Sequence, residues 1–303
     1  MAVVVLAGGT GGAKLARGLL DAAGDELTVI ANPGDDVEIY GTHVSPDADL
    51  VAFWLADLID ERGWGLRDDT FAVMDGLRAL GDEVWFNLGD RDLAWCARRA
   101  RRMAEGATPT EALAEACAAV GVSARVLPAT DAPVRTFVMA HGAWRPFQEY
   151  MVRDRAAGPV EGIEFSGAAA ASPSAAVLDA IAGAEAIVVG PSNPIASIGP
   201  MLAISGLREA IAASPAPVVA VSPIVGGEVL KGPTADFLAW AGVPCSAAGV
   251  ARVYRGLVDG MVCDERDAAL GVASLVTNTR MDEADSRARL ARETLDFARS
   301  LRS

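Results

Sequence analysis

The chain has 303 residues, 51% of them hydrophobic, enough for a full core in one large domain or a main domain with a smaller subdomain. Its 40 Asp and Glu against 26 Lys and Arg leave a net charge of −14, which repels nucleic-acid backbones and anionic membrane surfaces and argues against both as partners. An anionic protein that binds phosphates must therefore bring backbone N–H groups, local cations or a metal ion to the site. Four scattered cysteines (Cys96, Cys117, Cys245 and Cys263) with no C-x-x-C pair indicate neither a disulfide framework nor a zinc site, and His43 and His141 are too few for a histidine-rich centre.

Met1–Gly9 lacks a basic leader and reads as a strand, not a signal peptide, and no apolar run reaches membrane-spanning length, so a cytoplasmic protein is expected. Val3–Ala7 is a continuous apolar run ending in glycines, the pattern of a strand buried on both faces. A helix over Leu15–Ala23 and a strand over Leu27–Ala31 complete a βαβ unit and predict a parallel sheet. Helical patterns follow over the far end of Asp47–Asp60, over Thr70–Leu80, over Asp92–Glu105 with a basic face, and from Pro109 to about Val120 after Thr108. Val134–Ala140 and Gln148–Val152 read as strands, in an irregular region of roughly 125–170 that fits a lid or small subdomain. Ala186–Gly190 and Val218–Ser222 are again buried strands; Pro200–Ala213, Pro233–Ala241 and Ala284–Arg302 read as helices. The expected fold is α/β: a Rossmann-like three-layer core with a mainly parallel sheet, in a single domain over 1–303.

Gly8-Gly9-Thr10-Gly11-Gly12-Ala13-Lys14 follows a strand and opens a helix, where close backbone approach and free N–H groups suit an anion. It is not a P-loop, because Ala13 and Leu15 flank Lys14. It is not a dinucleotide fingerprint either, because Lys14 stands at the third glycine and the second strand ends near Asn32, without an acid. Asn32-Pro33-Gly34-Asp35-Asp36, with Asp47 and Asp49 beyond, groups carboxylates at the sheet's carboxyl edge. Beside phosphates they call for a hard cation such as Mg²⁺, although the same residues also favour turns. Trp85-Phe86-Asn87-Leu88-Gly89-Asp90-Arg91-Asp92 suits a flat, hydroxylated heteroaromatic ligand, or else caps the next helix. The loops around Ser192-Asn193 and Ser222 follow buried strands and extend the same sheet edge.

Taken in order, the stretches 8–14, 34–36, 45–49, 88–92, Phe147–Tyr150, 190–195 with 197–200, and 222–224 resemble the 2-phospho-L-lactate transferase family of coenzyme F-420 biosynthesis. The resemblance covers residue 3 to about 265. It implies a guanosine diphosphate-linked three-carbon acid as donor, the deazaflavin alcohol Fo as acceptor, Mg²⁺, release of GMP, and a homodimer. It assigns Asp35 and Asp47 or Asp49 to the metal and to catalysis. Trp85, Asn87, Gly89, Asp90 and Arg91 are assigned to Fo, and Gly9, Thr10, Gly11, Gly12, Lys14, Ser192, Asn193 and Ser222 to the nucleotide. Pro33 departs from the family pattern by removing one N–H donor from the acidic loop. The rival readings are a nucleotidyltransferase, which would release pyrophosphate, and a nucleotide-binding regulator without catalysis.

Overall fold

The structure, a computed structural model, describes residues 1–264 and 270–301. Strand β1 (Val3–Ala7) leads through helix α1 (Gly9–Ala23) to β2 (Leu27–Ala31), and a short hairpin of β3 (Val37–Ile39) and β4 (Thr42–Val44) delivers α2 (Pro46–Leu55). Helices α3 (Ala72–Ala79), α4 (Asp90–Ala104) and α5 (Pro109–Ala119) precede β5 (Arg125–Pro128). Strands β6 (Arg135–Ala140), β7 (Ala143–Pro146) and β8 (Gly162–Ser166) form a separate antiparallel sheet. The second half runs α6 (Ala175–Ala182), β9 (Ala186–Val189), α7 (Gly199–Leu202), α8 (Leu207–Ala213) and β10 (Val218–Val221). A hairpin of β11 (Ile224–Val225) and β12 (Glu228–Val229) follows, then α9 (Thr234–Trp240), α10 (Ala247–Val253), β13 (Gly260–Cys263), β14 (Ala273–Val276) and α11 (Ala284–Ser300).

The main sheet has seven strands in the order β14-β13-β10-β9-β1-β2-β5, and every pairing is parallel. Burial on both faces explains the unbroken apolar strands. In β1, Val4 and Leu6 enter one core with Ile187, Val189 and Met261, while Val3, Val5 and Ala7 enter the other with Leu15, Leu19, Val51 and Leu290. The chain order reverses between β1 and β9. In an open doubly wound sheet, that switch point leaves a crevice at the carboxyl ends of the strands.

Local chemistry sets several boundaries. The α5 start is a capping box: Thr108 Oγ1 accepts from Glu111 N at 3.1 Å, and Glu111 Oε2 accepts from Thr108 N at 2.8 Å. Three expectations are corrected. Gln148–Val152 is not a strand: Glu149–Arg153 forms a wide helical turn whose Tyr150 packs edge-on against Phe237 at 6.2 Å. The helix expected over Pro200–Ala213 is broken into α7 and α8, with Gly206 left-handed at φ 88°. Residues 125–128, expected to open the irregular region, are the edge strand of the main sheet. The expected end of the last helix, Arg302, lies outside the described residues.

Candidate active site

A cleft of about 440 Å³ opens at the switch point. Four loops from the carboxyl edge of the sheet enclose it: Gly8–Lys14 after β1, Asp35 after β2, Pro191–Ser197 after β9, and Ser222–Pro223 after β10. The β11–β12 hairpin with Leu230–Thr234, the segment Thr279–Asp282 ahead of α11, and Phe147 and Met151 close its sides. Of the expected nucleotide residues, Gly9, Thr10, Gly11, Lys14, Ser192, Asn193 and Ser222 line the cleft. Gly12 does not. It sits behind the loop, where a Cβ would lie 2.7 Å from Ser192 Oγ and 2.9 Å from Ala7.

The β1 and β9 loops are tied together, since Ser192 Oγ accepts from Gly8 N at 3.1 Å. A side chain on Gly11 would collide with the Pro191 carbonyl, so these loops touch through backbone. The start of α1 thus presents N–H groups and the positive end of a helix to the cleft, as an anion site requires. Lys14 and Lys231 add cationic charge. Burial lowers the Lys14 pKa, Arg287 and Lys231 lower it further, and Asp282 opposes them. The Lys14 ammonium lies 5.9 Å from the Trp54 ring centroid.

Asp35 and Asp47 form the acidic heart of the cleft, 6% and 4% exposed. One amide bridges them: Asn32 Nδ2 donates to Asp35 Oδ1 and to Asp47 Oδ2, both at 2.9 Å. Asn32 Oδ1 in turn accepts from Gly34 N at 2.8 Å, which fixes the amide's direction. Asp47 Oδ1 accepts from Gly9 N at 2.6 Å, so the acid pair is joined directly to the glycine loop. Burial pushes the Asp47 carboxyl up to about 6, against the hydrogen bonds from Asn32 and Gly9. Burial and the neighbouring Asp47 charge hold Asp35 well above the usual carboxylate range. Two buried carboxylates joined by one neutral donor suit a hard divalent cation: oxygen ligands and uncompensated negative charge at the mouth of an anion site. Asp35 and Asp47 are the residues that would hold it.

Next to this pair, Asp36 contacts His43 Nε2 at 3.2 Å, and Glu38 bonds the other ring nitrogen. Burial lowers the His43 pKa, but the hydrogen bonds and charges of Asp36 and Glu38 outweigh it and raise it overall.

Asp49 is placed elsewhere. It faces α4, where Arg99 forks onto both its oxygens and Trp95 Nε1 donates to Oδ1 at 2.7 Å, and it does not line the cleft. Asp49, Asp92 and Cys96 bring ligand atoms within 4.8 Å of one another, but Arg99 already satisfies Asp49. Burial and then the charges of Asp49 and Asp69 lift Asp92 to about 7.

The 85–91 loop also stands away from the cleft lining, and its polar groups hold scaffold. Asp90 caps α3 by accepting from Ala72 N and Val73 N at 3.0 and 2.9 Å. Asn87 Oδ1 accepts from Arg78 at 2.7 Å, and Arg91 donates to the Arg67 carbonyl at 2.8 Å. Gly89 packs on Asp69, which caps α4 through Arg91 N and Asp92 N, and Trp85 stacks edge-on with Phe86. Asp90 therefore does not cap the helix that follows, as the alternative reading expected; it caps the preceding helix α3, and Asp69 caps α4. Sequence reasoning missed Asn32 as a bridge, although it stands where a dinucleotide fold carries its ribose-binding acid. It also missed Thr279 and Asp282, which follow the short, largely exposed edge strand β14.

Glycine-loop helix start and buried acid pair, meeting at the switch point of a doubly wound sheet, define a Rossmann-like α/β protein with a cleft at its carboxyl edge. The chain belongs to the 2-phospho-L-lactate transferase CofD family, which it matches over residues 3–296, and is thereby a transferase of coenzyme F-420 biosynthesis. It is 42% identical over the whole of both chains to a phosphoenolpyruvate transferase of Streptomyces griseus. It is 37% identical to a 2-phospho-L-lactate transferase of Methanosarcina mazei, with 88% of each chain covered. A crystal structure of a Bacillus halodurans protein shares the fold at a TM-score of 0.64 and 19% identity, covering 97% of this chain and 99% of that one. Among the described residues no helix is long and apolar enough to cross a membrane.

Proposed function

We propose that the protein transfers a phosphoenolpyruvyl group from a guanosine diphosphate-linked donor to the terminal hydroxyl of Fo, releasing GMP. The observation that carries this reading is the buried Asp35–Asn32–Asp47 bridge, bonded through Asp47 to the N–H of the glycine loop that opens α1. Acid pair and anion cradle lie side by side, as phosphoryl chemistry on a diphosphate requires. Two apolar stretches on separate elements, Phe147 with Met151 and Val225 with Val229 and Leu230, offer walls for the two flat rings of a donor–acceptor complex. The choice of three-carbon acid follows the relatives matched over their full length, which are phosphoenolpyruvate transferases.

In this reading the Fo hydroxyl oxygen forms a bond to the phosphorus that carries the enolpyruvyl group. The bond from that phosphorus to the bridging oxygen breaks, and GMP leaves with that oxygen. The Asp35–Asp47 pair takes the hydroxyl proton. The N–H groups at the start of α1, with Lys14 and Lys231, receive the charge that develops on the departing phosphate. Mg²⁺, which Asp35 and Asp47 would hold, would supply positive charge that offsets the negative charge of the diphosphate.

The test is incubation with Fo, Mg²⁺ and guanosine diphosphate-linked phosphoenolpyruvate, phospholactate or phosphoglycerate, read by mass spectrometry. The reading expects GMP and a phosphoenolpyruvyl adduct of Fo, with the other two donors slower. Pyrophosphate release would point to nucleotidyl transfer. Tight guanine nucleotide binding without turnover of any donor would point to a regulator.

A further inference from the structure

We infer that Arg99 is a positioning residue, clamping the turn that carries Asp47 from both sides so that its carboxylate meets Asn32 and the Gly9 N–H. Arg99 is 3% exposed. One guanidinium nitrogen donates to the His43 carbonyl at 3.1 Å and to Asp49 Oδ2 at 3.0 Å, and the other donates to Asp49 Oδ1. His43 lies in β4 and Asp49 shares the first turn of α2 with Asp47, so the two anchors flank Asp47 along the chain. Trp95, one helical turn before Arg99 on α4, adds its indole N–H to the same carboxylate at 2.7 Å.

The need for such a clamp follows from charge. Ionised Asp35 and Asp47 repel each other across a single shared amide, so Asp47 stays in place through its bonds from Asn32 and Gly9 N and through the backbone that carries it. A planar fork fixed at a carbonyl on one side and a carboxylate on the other holds that backbone. A lysine cannot reproduce this, because it is a point donor on a flexible stem. Stability alone explains the pair poorly, since buried ion pairs are often replaced by apolar residues without loss. Asp49 thereby acts as the protein-side anchor of the clamp.

The expectation for metal affinity rests on the proposed role of Asp35 and Asp47; the expectation for the Gly9 amide does not. Two variants test the clamp: the double variant Arg99→Met with Asp49→Leu, which removes both charges together, and Arg99→Lys. The ¹H–¹⁵N resonance of Gly9 is followed, with Asp47→Ala marking its position when the side-chain acceptor is lost, and Mn²⁺ binding is titrated by the EPR signal of the free ion. Expected are a Gly9 resonance displaced toward the Asp47→Ala position in both variants, and a Mn²⁺ dissociation constant raised about 10–100-fold, at a melting temperature of the double variant close to wild type. Folded variants with the wild-type Gly9 resonance and the wild-type Mn²⁺ affinity would overturn the inference. If the double variant does not fold, Arg99→Lys decides by the same two readouts. A wild-type protein that binds no Mn²⁺ would remove the metal reading of the acid pair and leave the Gly9 resonance to decide the clamp.

Discussion

Asp47 carries a pH dependence whose sign follows from its surroundings. Its folded pKa is raised from 3.8 to about 6, so between those values the folded state holds the proton more tightly than the unfolded chain. The resulting stabilisation is fully present below about 4 and is lost as pH rises through about 6. Melting curves in EDTA should therefore show wild type losing stability relative to Asp47→Asn across that window; parallel curves would contradict the burial argument. Asn32 is the second test at this scale. Asn32→Ala leaves both carboxylates in place but removes their shared donor, and an outer partner of this kind is worth about 10–100-fold in metal affinity or activity. Calorimetric titration with Mn²⁺ checks it. Asp35 and Asp47 were legible in the sequence because acids after a buried strand stand where ligands bind. Asp49 was not separable from Asp47, because its partner Arg99 is distant in sequence and read as one more cation on a basic helix face.

Helix α4 shows how an element serves the site without touching ligand. Its start is capped by Asp69, while its own Asp90 caps α3, so the two helices fix each other. Its inner face delivers Arg99 to Asp49. Arg99→Ala leaves the Asp49 charge buried without its cation, with the Trp95 N–H still on Oδ1, and should cost about 3–5 kcal/mol. Thr108→Ala removes half of the α5 capping box and should cost about 1 kcal/mol. Urea unfolding of the two variants separates these magnitudes, and an Arg99→Ala loss no larger than that of Thr108→Ala would show that Asp49 finds another partner or water. Elements with local signals were readable: the Pro109 start, the β1 run, the helix near Thr234. The weakest signals failed. Strand β14 alternates too little and is largely exposed, and the Glu149–Arg153 turn carries apolar residues at a spacing that mimics a strand.

At the scale of the molecule, the anionic charge and the phosphate cradle are reconciled by placement. The acids that line the cleft are the buried Asp35–Asp47 pair and Asp282 at its side, and the donors facing them are backbone N–H groups and two lysines. The parallel sheet was legible from its buried strands. The strand order, and hence the position of the switch point, was not, because pairing between β1 and β9 joins segments far apart in sequence with no local mark of their adjacency. That order brings the Gly8 loop against Ser192 and makes one cleft out of several glycine-rich loops. The most direct test of the account is the Mg²⁺ dependence of Fo modification by Asp35→Asn beside wild type, with the phosphoenolpyruvyl donor and mass-spectrometric readout. Saturable, Mg²⁺-dependent turnover by wild type and only background by the folded variant is the predicted result. Wild-type turnover and an unchanged Mg²⁺ requirement in Asp35→Asn would contradict it.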